Sequence, residues 1–189
     1  SAYREEFRKV FGRDLDPDGV AKAIAAYVRT IVSGNSAYDR FRAGDKRAMS
    51  SSAQRGLAIF EGKAQCARCH AGFNFTDENY RNIGVGMDKK NPDLGRYTVT
   101  KKEEDKGAFK TPTLRDVAVR SPYMHDGSEK TLEAVVAFYN RGGNKNPWLS
   151  SDVKPLNLSA QEQQDLVAFL KTLTGEIDPE VGKPPTLPK

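Results

Sequence analysis

The chain holds two cysteines and two histidines, and three of those four residues fall inside one stretch, Cys66-Ala67-Arg68-Cys69-His70. Two cysteines separated by two residues and followed at once by a histidine is the spacing that attaches haem covalently. Each thiol adds across one porphyrin vinyl group, and the histidine swings beneath the ring to place a nitrogen on the iron. A thioredoxin-like redox pair shares the cysteine spacing, but it follows a strand in an alternating strand and helix pattern that is not found here. A zinc site would have to recruit Cys66, Cys69, His70 and the remaining His125, and a histidine adjoining the second cysteine turns back poorly to the same tetrahedral metal. The motif therefore predicts one covalent haem c, bound through Cys66 and Cys69, with His70 on the iron.

Hydrophobic periodicity places helices on both sides of the motif. Tyr3, Phe7, Val10 and Phe11 recur at helical spacing, and after Gly12 the pair Asp16-Pro17 supplies an N-cap and first-turn proline for a second helix. Val20, Ile24, Tyr27, Val28, Ile31 and Val32 give that helix an apolar face, expected to be core, which ends at Ser33-Gly34-Asn35. The polar stretch from Ser36 to Ser52, with Met49 inside it, reads as a linker. A third helix starts near Ser52 and carries Gly56, Leu57 and Phe60 into the motif, with Gly56 and Phe60 on one face so that another helix can approach at the glycine.

Downstream, Thr131 caps a helix through Leu132, Val135, Val136 and Tyr139. Ser159-Ala160-Gln161-Glu162 is a capping box, and it opens a helix with the stripe Leu166, Phe169, Leu170, Leu173 before Gly175. Between about Gly72 and Lys110 no period is sustained, as expected of irregular chain ordered against a large apolar haem face. A first helix leading to the haem cysteines and a last helix crossing it is how the class I cytochrome c fold closes. The expectation is an all-α protein of that fold, with an N-terminal helical extension over residues 1–48, a haem domain over 49–176 with long haem-wrapping loops, and a Pro-rich tail over 177–189.

At 189 residues the chain has room for one domain with a core and an extension, and not for two full domains. Its net charge of +5 arises from 30 basic residues interspersed with 25 acidic ones, which argues against nucleic acid and for a solvated surface with a docking patch for a redox protein. No apolar run approaches the ~20 residues of a membrane span. Covalent haem is normally attached outside the bacterial inner membrane, so a periplasmic location follows. A chain that opens Ser1-Ala2-Tyr3-Arg4 without a signal peptide then reads as a processed or truncated product.

Ser33-Gly34-Asn35-Ser36 before Asp39-Arg40, then Gly107-Ala108-Phe109-Lys110-Thr111-Pro112-Thr113-Leu114-Arg115, then Pro122-Tyr123-Met124-His125-Asp126-Gly127 and Thr131-Leu132-Glu133, resemble the C-terminal half of bacterial di-haem cytochrome c peroxidases. The resemblance implies an oxidoreductase in which peroxide reacts at an N-terminal haem, while the C-terminal haem delivers electrons or shares oxidising equivalents. Only the second haem motif is present, so the partner implied is a second haem domain or a haem-bearing chain, and no residue here is assigned to the peroxide step. The alternative is a stand-alone electron-transfer subunit without catalysis of its own.

Where ordinary peroxidases of the family carry a methionine ligand, this chain has Tyr139, which resembles the MauG branch and implies a tyrosinate on the iron opposite His70. The other readings of Tyr139 are a plain core residue, with Met124 or Met87 as the ligand. MauG proteins that build a partner's tryptophan-derived cofactor place a tryptophan two residues before the first haem cysteine, and here that position is Ala64. The resemblance also implies a calcium ion held by the backbone carbonyls of Arg120 and Pro122, Arg120 standing where a threonine is common. Arg96 and Arg115 are candidates to pair with haem propionates, against the plainer reading of surface salt bridges. Lys110 and His125 are further candidates to face the propionates.

Overall fold

The computed structural model describes residues 2–184 and 186. Those residues form seven α-helices: α1 (Ala2–Phe11), α2 (Pro17–Val28), α3 (Ala37–Arg42), α4 (Ser51–Glu61), α5 (Tyr97–Thr100), α6 (Leu132–Asn140) and α7 (Ala160–Lys171). One small antiparallel pair, β1 (Tyr80–Arg81) and β2 (Phe109–Lys110), sets Tyr80 opposite Lys110 and Arg81 opposite Phe109. The architecture is the all-α cytochrome c type.

Short polar side chains start the helices by taking up otherwise unpaired backbone N–H groups. Asp16 accepts from the Gly19 N–H ahead of Pro17, Ser50 from Ala53 and Thr131 from Ala134. The capping box at Ser159 is reciprocal: its hydroxyl takes the Glu162 N–H, and the Glu162 carboxylate takes the N–H of Ser159.

By its contacts the chain divides into two units, Asn35–Gly175 and the remaining terminal segments up to Gly34 and from Glu176 on. In the terminal unit Phe7 of α1 packs on Gly19 of α2, where an added Cβ would lie 2.2 Å from the ring. Gly34 and Glu176 form an antiparallel bridge, and the Tyr27 hydroxyl donates to the Val181 carbonyl. The sequence reading made the α2 face core, and here the structure differs: Val20, Ile24, Tyr27, Val28, Ile31 and Val32 are all exposed, Ile24 at 58 %. α2 also stops at Val28, earlier than the periodicity suggests, because the next residues close as turns, with Thr30 N–H on Tyr27 O and Ile31 N–H on Val28 O. Of the tail prolines, Pro185 and Pro188 lie outside the described residues.

The larger unit is built on the crossing of α4 and α7. Gly56 sits at the closest point, where a Cβ would fall 1.9 Å from the Asp165 carbonyl oxygen and 2.8 Å from Phe169 Cβ. Around it Phe60, Phe75 and Phe169 form an aromatic cluster joined by Tyr38, with centroids 5.0 to 6.4 Å apart, and Phe169 and Leu173 are completely buried. Edge-on and tilted contacts of this kind add to the burial of the rings themselves.

Asp165, 2 % exposed, is the polar exception at the crossing. Arg55 grips it at 2.7 and 2.8 Å and Ser52 donates at 2.6 Å, so its buried charge is matched and hydrogen-bonded.

The linker expected from Ser36 to Ser52 is instead folded core wall. Ser36 and Asp39 make a capping box for α3, Tyr38 and Phe41 pack on the main cluster, and Met49 is 3 % exposed. Polar spacing hid this, since α3 is only six residues long and shows too few apolar positions for a period to register.

Two outcomes test this packing. Gly56→Ala removes a helix-interior glycine, which in isolation stabilises by about 1 kcal/mol. At this crossing it should instead cost ~2 kcal/mol or more, seen as a lower denaturation midpoint of the haem-loaded protein. Acid gives the second. Its bonds from Arg55 first, then Ser52, hold Asp165 at about 2 rather than 3.8, so its contribution is complete above 3.8 and is lost as the pH falls through about 2. Urea melts at stepped pH should show that part of the acid loss missing in Asp165→Asn.

Candidate haem centre

α4 ends at Glu61, and the chain turns through Gln65, held at φ 51, into a single 3-10 turn over Cys66–Arg68. The Cys69 and His70 N–H groups both return to the Cys66 carbonyl, at 3.2 and 2.9 Å, so the two thiols and the imidazole are carried by one closed turn. Both cysteines are free, neither in a disulfide. Burial, and then the neighbouring Cys69, push the Cys66 thiol up to about 12, and burial likewise raises Cys69. Thiols so placed are poor nucleophiles towards solvent.

His70 Nδ1 lies 2.9 Å from the Phe75 carbonyl oxygen. With the proton on Nδ1, that bond leaves Nε2 as the nitrogen with a free lone pair, the arrangement second-shell carbonyls impose on metal-binding histidines. Phe75 reaches this position at φ 51, a region that bulky residues seldom occupy, and its ring is locked in the aromatic cluster. Burial lowers the basicity of His70, while the carbonyls of Phe75 and Pro112 work the other way. The ring is thus neutral at ordinary pH and able to bind a metal.

Tyr139 stands in the last turn of α6. The residue is half-buried, and its hydroxyl makes no hydrogen bond among the described residues. Burial first, and then Cys66 and Cys69, push its ionisation well above the ordinary phenol range. A phenol oxygen without a hydrogen-bond partner, close to the two cysteines, is free to act as a donor. Two free thiols, an oriented imidazole and this oxygen make a donor set that fits covalent haem.

The other candidates are distributed differently. Arg115 is engaged by Asp39 at 2.8 Å, donates to the Phe73 carbonyl and lies over the Phe75 ring. Arg96 pairs with Asp105 at 3.3 Å and stacks over Tyr80. Lys110 bridges to Glu78 at 2.6 Å, and His125 stacks on Phe109 with centroids 3.6 Å apart. Met124 occupies a left-handed turn position at φ 69 beside His125, and Met87 lies against Gly107, where a Cβ would meet its sulfur at 2.5 Å. The Arg120 guanidinium donates to the Thr113 carbonyl at 2.7 Å.

The sequence reading passed over Phe75 and the pair Asp77 and Arg81. Arg81 grips Asp77 at 2.7 and 3.0 Å next to the motif, and it lines a cleft of about 470 Å³ with Arg96 and Asp152. A second cleft of about 370 Å³ reaches Cys69 between Arg68, Lys154 and Leu156. The available signal was an acidic residue four positions before an arginine just after the haem histidine, in a segment without helical period to draw attention to it.

A family described as Cytochrome c matches residues 53–174, nearly the whole larger unit. The chain belongs to the cytochrome c family. A second family, described as Di-haem cytochrome c peroxidase, matches residues 1–47, and together they place the chain in the group of di-haem peroxidases and MauG proteins. The chain is 45 % identical to the methylamine utilization protein MauG of Methylorubrum extorquens, over 92 % of this chain and 50 % of the relative. It is 40 % identical to a cytochrome-c peroxidase of Denitromonas iodatirespirans, over 98 % of this chain and 57 % of that protein. A solved MauG-like protein associated with microbial copper homeostasis superposes with a TM-score of 0.76 at 31 % identity, covering 86 % of this chain and 58 % of that one. The chain thus spans about half the length of the curated relatives it matches.

Attachment can be read directly. Replacing Cys66 and Cys69 together by Ala should leave no haem stain on the polypeptide after denaturing electrophoresis, whereas the unaltered protein keeps its stain.

Proposed function

We propose that this chain is the c-type haem domain of a di-haem peroxidase or MauG-type oxidoreductase, carrying one haem and passing electrons or oxidising equivalents to and from a second haem domain in peroxide-dependent oxidation. The observation that carries this reading is the closed turn Cys66–His70, with the His70 ring oriented by the Phe75 carbonyl and Tyr139 standing near both cysteines. Bound haem supplies a one-electron redox centre, with a potential that depends on its axial ligands. His70 provides Nε2 from a ring fixed by Phe75 O. Tyr139 provides an anionic oxygen, which favours the oxidised iron where a thioether would favour the reduced one.

The same reading includes a calcium ion on the Arg120 and Pro122 carbonyls. Among the described residues no three His, Cys, Asp or Glu side chains group to hold a metal, so such an ion would depend on backbone oxygens and on ligands from the second domain. Among the described residues no helix is long and apolar enough to cross a membrane. A periplasmic setting and a redox protein partner complete the proposal. Its support is the covalent haem chemistry of the motif and the kinship with MauG and cytochrome c peroxidases.

Tyr139→Phe in the haem-loaded protein tests it. Removal of one oxygen, with the ring's packing kept, should change the ferric spectrum, raise the midpoint potential and admit small added ligands such as cyanide or imidazole. An unchanged spectrum and potential would make Tyr139 core only and turn attention to Met124 and Met87. Peroxide turnover by this chain alone should be weak, since His70 and Tyr139 would together hold the iron and leave peroxide no open position.

A further inference from the structure

Most ion pairs among the described residues have at least one well-exposed partner, as between Lys22 and Asp18, with both side chains 63 % exposed. Asp77 and Arg81 are unlike them. Their side chains are 18 % and 19 % exposed, and the guanidinium meets the carboxylate with two parallel bonds of 2.7 and 3.0 Å, the strongest geometry open to such a pair. The pair is also fastened to the haem-binding segment. The Asp77 N–H donates to the Cys69 carbonyl at 2.8 Å, one residue before His70. Arg81 gives a further bond of 3.1 Å to the Thr111 hydroxyl, and Thr76 donates to the Thr111 carbonyl at 2.6 Å. Thr111 precedes Pro112, the carbonyl of which acts on the His70 ring. Asp77 and Arg81 therefore tie the motif, β1 and the chain after β2 into one frame.

Resting on the haem reading above, we propose that Asp77 and Arg81 are a positioning pair for the haem, and that their two opposite charges set its reduction potential in opposite directions. Reduction makes the iron centre less positive by one charge, so a cation held nearby favours the reduced form and an anion the oxidised form. In a half-buried position these effects escape most of the salt screening that removes surface charges from consideration. Asp152 and Arg68 are further charges nearby, Asp152 lying 3.9 Å from Arg81 and 3.7 Å from Arg68, with side chains 49 % and 63 % exposed to solvent.

The test is spectroscopic redox titration of the haem-loaded protein, with haem content measured on the same samples. Arg81→Gln should lower the midpoint potential, Asp77→Asn should raise it, and the double variant should fall between the two. Arg81→Lys, which keeps the charge and loses the two-pronged grip, should stay closer to the unaltered protein than Arg81→Gln does. A purely structural pair would let solvent in whichever partner is removed, so both single variants would move the potential the same way, and that result would overturn the proposal. If Asp77→Asn does not retain haem, the comparison of Arg81→Gln with Arg81→Lys decides, equal potentials being the overturning outcome. Absence of covalent haem from the unaltered protein would sink the haem reading itself, before any variant is compared.

Discussion

The contact of Gly56 with the Asp165 backbone is the constraint from which the site follows. Because no side chain separates α4 from α7 at that point, their axes come close enough for Phe60 and Phe169 to meet directly, with centroids 5.0 Å apart. The ring of Phe75 is then held against both. It is the backbone of Phe75, strained into the left-handed region, that offers its carbonyl to His70. A helix crossing nearly a dozen residues before the haem motif thus sets the orientation of the imidazole through three aromatic rings. A wider crossing would loosen the cluster, and with nothing to hold φ at 51 the carbonyl would drift from Nδ1.

The polar parts of the unit solve a different problem. Much of the chain between the motif and α6 lacks regular structure, and its backbone groups must be paired another way. Asn82, 1 % exposed, does this for one region: its amide donates to Lys106 O and the Asn146 side chain, its oxygen accepts from Gly84 N–H, and its backbone exchanges bonds with Ser150. Gly84 itself lies so near the Asn144 backbone that a Cβ would be 2.0 Å from its carbonyl oxygen. Loops fixed by buried side-chain bonds of this kind are specific but depend on every partner being present.

How much of this the sequence discloses depends on the range of the interactions. The haem motif, the Asp16-Pro17 start, the Ser159 box and the Gly56 and Phe60 spacing are local and were legible as they stand. Tyr139 as a candidate came from family resemblance, because nothing in the period of α6 separates a ligand from a core tyrosine. The burial of Met49 and the short helix α3 were not legible, since a six-residue helix carries too little periodicity. The exposed face of α2 was misread for a deeper reason: an apolar stripe says that a face avoids water, and not which body covers it. Likewise Phe75, Thr111 and Arg81 act on the site through partners 4 to 35 residues away, and no local pattern marks them.

Electrostatics at the centre hold the two thiols and the phenol protonated and leave the imidazole unprotonated. Burial raises Cys66 and Tyr139 and lowers His70, so these side chains are neutral together: thiols, phenol and an unprotonated imidazole. A neutral interior costs far less to desolvate than one holding two thiolates and a phenolate. Thiols joined to the vinyl groups of haem would become uncharged thioethers, and on the proposed ligation the iron's positive charge would offset loss of the phenol proton. On the proposed ligation, the partial burial of Tyr139 that disfavours its free phenolate would also strengthen the attraction of that phenolate for a cation, because opposite charges attract more where less water surrounds them. A methionine at position 139 would need no such compensation, and it would give up the preference for oxidised iron that the proposed phenolate brings.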